Sequence, residues 1–233
     1  MGKPKGVVVD NNYWERNINN WSKLYLKISH GHEELECPSW LKAIYHSLIT
    51  PIESSLMKKR YAKTLSFINT YVKKGDTVAD LGCGTGIFVV ELLNRGAKVL
   101  AIDYTEAALK LTKELVMHKC PGKQSFVTYL RLDLRNERVP QCDAAFAMGV
   151  APYISEIEPF ISNVMSGATM LHLQLVDPRN IFNRIRRALP WLNVRKLYFH
   201  EKDNLDNCYR QKGLNLKKRE NFATGYLDLI TKA

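Results

Sequence analysis

The 233-residue chain is short of several things, and each shortage excludes a class of protein. No apolar run approaches the roughly 20 residues that a membrane helix requires, so no membrane insertion is expected. No Cys-x-x-Cys pair occurs. The five cysteines, at positions 37, 83, 120, 142 and 208, are odd in number and scattered. That pattern argues against both a disulfide framework and a zinc site, predicts no bound metal, and fits a reducing cytoplasm. The opening MGKPKGVVVD lacks the apolar core of a signal peptide, and Gly6 stands where a myristoylation signal needs Ser or Thr. No internal repeat, low-complexity tract or Gly/Ser linker divides the chain. Acidic residues are also scarce: 23 against 34 basic ones, for a formal charge of +11. This surplus favours anionic partners, whether phosphates, carboxylates or nucleic acid, and equally fits a merely soluble surface.

What is present falls into two textures. Residues 10–74 read as helical. Trp14, Ile18, Trp21, Tyr25 and Ile28 recur at steps of four, three, four and three, one face of an amphipathic helix. A second helical stretch runs from Pro51 to about Lys73. From Asp76, short apolar strands alternate with helical patterns. Strands are predicted at Thr77–Leu81, Lys98–Ile102, Phe126–Leu132, Cys142–Met148 and Thr169–Val176. Helices are predicted at Ile87–Arg95, Thr105–His118 and Ser155–Met165. This rhythm specifies an α/β fold, a Rossmann-like, mostly parallel sheet covered on both faces. Leu214–Phe222 and Tyr226–Thr231, joined by Ala223-Thr224-Gly225, predict a C-terminal antiparallel hairpin at the sheet edge. The expected organisation is an N-terminal helical cover over residues 1–74 and a core over 75–233.

The stretch DLGCGTG, Asp80 to Gly86, closes the first strand and opens the first core helix. Glycines there allow a tight turn and a close backbone approach to a bulky ligand. Asp103 ends the second strand, a position from which a carboxylate commonly receives the two hydroxyls of a ribose. The pair describes a pocket for a nucleoside-containing cofactor. The spacing of Gly82, Gly84 and Gly86 is not that of the dinucleotide fingerprint, because Ile87 occupies the slot of its third glycine. A phosphate loop ending in Gly-Lys-Ser/Thr is absent. An acid at the head of the turn would repel phosphate, but it suits a ligand carrying a sulfonium and an amino group.

On these residues the chain resembles the class I S-adenosylmethionine-dependent methyltransferases, from about Asp76 to the C-terminus. The resemblance implies S-adenosyl-L-methionine as cofactor. Asp80, Gly82, Cys83, Gly84 and Gly86 would border its methionine part, and Asp103 would hold its ribose. Tyr104 would lie beside the adenine. Asp133, in LRLDLRN, would contact the adenine amino group, with Leu134 following it. Met148 and Gly149 would meet the methionine amino end. A further likeness, carried by YWERNINNWSKLY (13–25), NVRKLYFH (193–200) and RENFATGYLDL (219–229), is to magnesium-protoporphyrin O-methyltransferases. Those enzymes have an arginine-then-aromatic-His segment before their last helix. This chain departs from them in the insert at 30–53, where the acceptor is expected to bind, and in its high basic charge.

Methyl transfer from a sulfonium is an in-line displacement with a neutral leaving group, so alignment and water exclusion dominate. A base helps a weakly acidic acceptor, and a carboxylate acceptor needs none. His200, ending the segment LYFH, is the first candidate base; the competing reading is a surface or structural histidine. His30, His32 and His46 lie in the N-terminal cover, and His172 reads as a satisfied core residue. Ala151-Pro152-Tyr153 resembles the Asn-Pro-Pro-Tyr element of amino-directed nucleic-acid methyltransferases. Alanine stands where the essential amide belongs, which leaves Tyr153 as a lining residue of the acceptor pocket. In NIFNRIRRALPW (180–191), Ile181, Ile185 and Leu189 form an expected buried stripe, with Arg184, Arg186 and Arg187 away from it. Arginine forks suit carboxylates and phosphates, so Arg184 and Arg187 are candidate acceptor contacts. The expected partner is a small-molecule, anionic acceptor methylated at oxygen. RNA or protein as acceptor, or a non-catalytic cofactor-binding subunit, are the alternatives, with nucleic acid not favoured.

Overall fold

The structure, a computed structural model, describes residues 50–188 and 197–233. The aromatic stripe at 14–28, the histidines at 30, 32 and 46, and Leu189 lie outside these residues.

Helix α1 (Thr50–Tyr71) leads into β1 (Thr77–Leu81), α2 (Ile87–Arg95), β2 (Lys98–Asp103) and α3 (Glu106–Lys119). There follow β3 (Val127–Arg131), β4 (Ala144–Ala147), α4 (Ile157–Gly167) and β5 (Met170–Val176). The chain closes with α5 (Ile181–Ala188), α6 (Lys202–Gln211), β6 (Leu214–Phe222) and β7 (Gly225–Lys232). The strands form one sheet in the order β3-β2-β1-β4-β5-β7-β6. Pairings from β3 to β5 are parallel, and β7 joins β5 and β6 antiparallel. The α/β sheet and its terminal hairpin are those read from the sequence.

Strand periodicity sorts the core into two layers. Ala79 and Leu81 of β1 pack with Phe160, Ile161 and Val164 of α4 and with Leu205 and Tyr209 of α6. Val78, one residue out of phase, packs on the other face with Phe67, Ile68 and Val72 and with Leu92 and Leu93 of α2. Each fully buried large side chain contributes about 1.5–3 kcal/mol, so both helical layers are held by burial rather than by helix propensity. Helix α2 stops where the sequence puts glycine: Gly96 is left-handed, and its N–H reaches back to the last turn. Helix α6 gives no clear periodic signal, and only the likeness to enzymes with a last helix implies it. Its buried face is just Leu205, Cys208 and Tyr209 in an otherwise polar segment.

Two expectations need correction. Ile181 and Ile185 do not form a buried stripe; they are 66% and 47% exposed. The residue that α5 buries is Asn183, whose amide donates to the carbonyls of Asp177 and Thr224, each at 2.7 Å. Those two bonds to loop backbone orient the helix and turn its apolar side outward. His172 is in the core, stacked on Phe67 at 4.8 Å, but it is not satisfied: neither ring nitrogen has a hydrogen-bond partner among the described residues. Burial pushes its pKa down to about 4, which keeps the ring neutral.

Candidate active site

Parallel strands β1, β2 and β4 end side by side, and the loops leaving them gather at the carboxyl edge of the sheet, where open α/β folds hold their ligands in a cleft. From β1, the turn Gly82–Gly86 is tied back to β2: the N–H groups of Gly82 and Cys83 both donate to the Ile102 carbonyl, at 2.8 and 3.0 Å. Gly82, Gly84 and Gly86 all have positive φ. Gly86 has a second constraint, because a Cβ there would meet Thr112 at 2.8–3.0 Å, its backbone Cα included. Close packing of the turn against α3 therefore requires glycine at this position.

Asp103 sits where turn and helix meet. Its Oδ2 accepts the Gly84 N–H at 3.1 Å, and its Oδ1 accepts from the N–H and hydroxyl of Thr105, each at 3.0 Å. Thr105 in turn caps α3 through Ala108 N–H. The carboxylate thus organises the cleft before any ligand arrives, and its unused acceptor capacity faces the ribose role assigned by resemblance. Burial raises its pKa, and the three donors oppose that shift.

Asp80 is different. It is 2% exposed, it lies on β1 between Ala101 and Phe146, and its Oδ2 has no hydrogen-bond partner among the described residues. Burial first, and the neighbouring Asp103 charge second, hold its pKa well above the ordinary carboxylate value. An orphaned buried carboxyl oxygen at the head of a glycine turn is costly. A cationic ligand group would relieve that cost.

Tyr104 and Asp133, assigned to the adenine by resemblance, are more exposed. Tyr104 is half-buried, and its carbonyl accepts from Arg131 Nε. Asp133 lies just past β3, with both oxygens held by Arg135, Nε to Oδ1 and Nη2 to Oδ2, each at 2.8 Å. These bonds lower its pKa. Leu134 and Met148 are buried, and Cys83 is buried with its thiol 3.5 Å from the Thr112 hydroxyl.

On the side expected from the sequence to meet the acceptor, a short turn at Ala151–Tyr153 follows β4. The segment 197–200 runs across it: Tyr198 N–H donates to the Pro152 carbonyl at 2.8 Å, and His200 N–H reaches the Val176 carbonyl at 3.4 Å. His200 is 7% exposed, so it is not a surface histidine. Burial lowers its pKa, while the backbone of Ala151 and Ile154 opposes the shift. Its Nε2 has no partner among the described residues. The Tyr226 hydroxyl donates to the His200 carbonyl, and Tyr226 itself lies under Arg219, which forms a two-pronged ion pair with the fully buried Asp228. Periodicity could not have found this bracing, because it joins three separate elements. Arg187 stacks over Phe199 with 5.7 Å to the ring centroid, whereas Arg184 is simply exposed. Tyr153 is half-buried at the turn.

The comparisons agree with this geometry. A family described as "Methyltransferase domain" matches residues 79–169. Ribosomal protein L11 methyltransferase of Thermotoga neapolitana is 30% identical over 155 residues, 66% of this chain and 49% of that protein. A probable cobalt-precorrin-6B C(15)-methyltransferase (decarboxylating) of Saccharolobus solfataricus is 40% identical over 60 residues, 24% of this chain and 30% of that protein. The chain therefore spans about half or less of the curated relatives it matches here. Among solved structures, magnesium protoporphyrin IX methyltransferase from Synechocystis PCC 6803, with bound SAH, aligns with a TM-score of 0.72. That alignment covers 96% of this chain and 98% of the other at 14% identity, a likeness of fold. Residues 79–169 match a methyltransferase domain, and the sheet order and glycine turn are those expected of the class I, S-adenosylmethionine-dependent type. S-adenosylmethionine is its cofactor, and the orphaned Asp80 oxygen and the glycine turn fit that cation.

Proposed function

We propose that the chain transfers a methyl group from S-adenosylmethionine to a small or medium-sized, anionic metabolite, at oxygen. The observation that carries the transfer itself is Asp80, a buried carboxyl with an unmet oxygen at the mouth of a glycine turn. When bound, the cofactor supplies an electrophilic methyl on a sulfonium that departs as a neutral thioether. The protein's work is then to bind and align. Gly82–Gly86 lets backbone approach the methionine part, Asp103 receives the ribose, and Tyr104 and Asp133 flank the adenine.

His200 is the proposed base. Burial favours its neutral form, and an Nε2 without a partner among the described residues can take a proton from an acceptor hydroxyl. Tyr153 would line the acceptor pocket. Arg184 and Arg187 would meet an anionic acceptor at its rim. The small-molecule reading is supported by the likeness of fold to a magnesium protoporphyrin methyltransferase.

A protein acceptor is the second reading, favoured by relatives named for ribosomal protein L11. The deciding experiment is transfer from methyl-labelled S-adenosylmethionine into a cell extract, fractionated into small molecules, RNA and protein. Label in acidic small molecules is the expected result. Label confined to protein or RNA would replace the proposed acceptor, and no label in any fraction would count against turnover.

A further inference from the structure

Helix α1 brings one cation to the cleft that no motif singled out. Arg60 Nε donates to Gln174 Oε1 at 2.9 Å, and its Nη1 reaches Met57 Sδ at 3.5 Å. Both acceptors are neutral. The guanidinium lies against Gly149: a Cβ built on that residue would stand 2.8 Å from Nη1, 3.0 Å from Cζ and 3.2 Å from Nη2. Gly149 follows β4, and its neighbour Val150 touches the glycine turn, where a Cβ on Gly82 would meet Val150 Cγ2. The contacts run without a gap from Arg60 through Gly149 and Val150 to Gly82. The positive charge therefore sits on the wall of the cofactor cleft.

Among the described residues no carboxylate pairs with Arg60. Its neighbour on α1, Lys63, is paired, with Glu220 at 3.0 Å. Its described partners being neutral, the half-buried Arg60 guanidinium has a planar carboxylate as its two-pronged match. Gln174 strengthens the case. It is 5% exposed on β5, a costly place for an amide, and its Oε1 accepts from Arg60. A bare packing role for the arginine stem would not require a buried amide to fix the fork.

We propose that Arg60 is a carboxylate anchor of the cleft, positioned by Gln174, and that it receives a carboxylate presented beside Gly149. The inference rests on the methyltransferase reading and deepens it. Two sources present this chemistry: the amino-acid end of the cofactor and an anionic acceptor.

Calorimetry on the full chain separates them, using S-adenosylhomocysteine and 5′-deoxy-5′-methylthioadenosine, which lacks the amino-acid group. Arg60→Gln, Arg60→Lys and Gln174→Leu are compared with the unaltered chain, and thermal melting checks that each is folded. If the cofactor supplies the carboxylate, Arg60→Gln weakens S-adenosylhomocysteine about tenfold, and methylthioadenosine binding stays the same. Arg60→Lys recovers part of the loss, and Gln174→Leu gives a smaller loss in the same direction. If the acceptor supplies it, both affinities hold. Label entering acidic small molecules from saturating S-adenosylmethionine then falls about tenfold in Arg60→Gln and partly recovers in Arg60→Lys. Equal weakening of both ligands, or no change in either binding or transfer, overturns the anchor. An unaltered chain that binds neither ligand overturns the methyltransferase reading instead.

Discussion

The two halves of the cleft are built by different means. On the cofactor side, the turn after β1 and the residues after β2 are knitted by backbone donors onto one carboxylate, Asp103, and one carbonyl, that of Ile102. On the proposed acceptor side, His200 is held by bonds from distant segments: its own N–H to Val176, and the Tyr226 hydroxyl to its carbonyl. The first half is a local device that any sequence with the same turn can repeat. The second depends on how the last third of the chain happens to pack, so it is the half in which specificity can change without loss of the cofactor.

The sharpest way to break this comparison is Asp103→Ala. Three hydrogen bonds vanish at once, and the Gly84 and Thr105 donors lose their partner. We expect a loss of about 3 kcal/mol in stability, with cofactor affinity falling about a hundredfold. Denaturant melts with calorimetry measure both, and wild-type affinity in a folded Asp103→Ala protein would show that this carboxylate does not serve the cofactor.

His200→Gln probes the other half. The expected outcome is a kcat about a hundredfold lower with unchanged S-adenosylhomocysteine affinity. The alkaline plateau of kcat in the parent should also extend to lower pH than an unperturbed histidine allows, because burial lowers the His200 pKa. An unchanged kcat in the variant would remove the base role and leave a carboxylate acceptor, which needs none.

Asp80→Asn should move stability and binding in opposite directions. A raised carboxyl pKa means that stability is full below the unfolded value near 3.8 and is lost as pH rises toward the folded value. At neutral pH the variant without the titrating carboxyl should gain about 1 kcal/mol while binding S-adenosylmethionine about tenfold more weakly. In the parent, below the raised folded pKa of Asp80, binding of the cation should release a proton, seen as a buffer-dependent calorimetric enthalpy. The smallest effect belongs to Arg135→Ala: the pair with Asp133 is largely exposed, worth under about 1 kcal/mol. Cofactor affinity should shift by no more than about threefold, since freeing the Asp133 oxygens offsets the lost order.

Much of the fold was legible in the sequence because its signals are local. Ile87–Arg95 shows helical periodicity between two glycines, and β1 to β5 show short apolar runs at regular intervals. DLGCGTG and Asp103 carry their geometry in residue type alone. Helix α6 was hard to read because three buried residues in a polar segment make a weak period. The stripe of α5 misled because a helical wheel shows that an apolar face exists but not what faces it. There, two amide bonds from Asn183 outweighed the isoleucines.

The sequence alone determined the sheet, the glycine turn and the acid at its head, since alternation, glycine and charge act over a few residues. Only the tertiary structure decided that Asp80 Oδ2 has no partner among the described residues, that His200 is buried, and that Arg60 lies on Gly149. Those facts depend on desolvation and contact between residues far apart in the chain, and no local pattern encodes them.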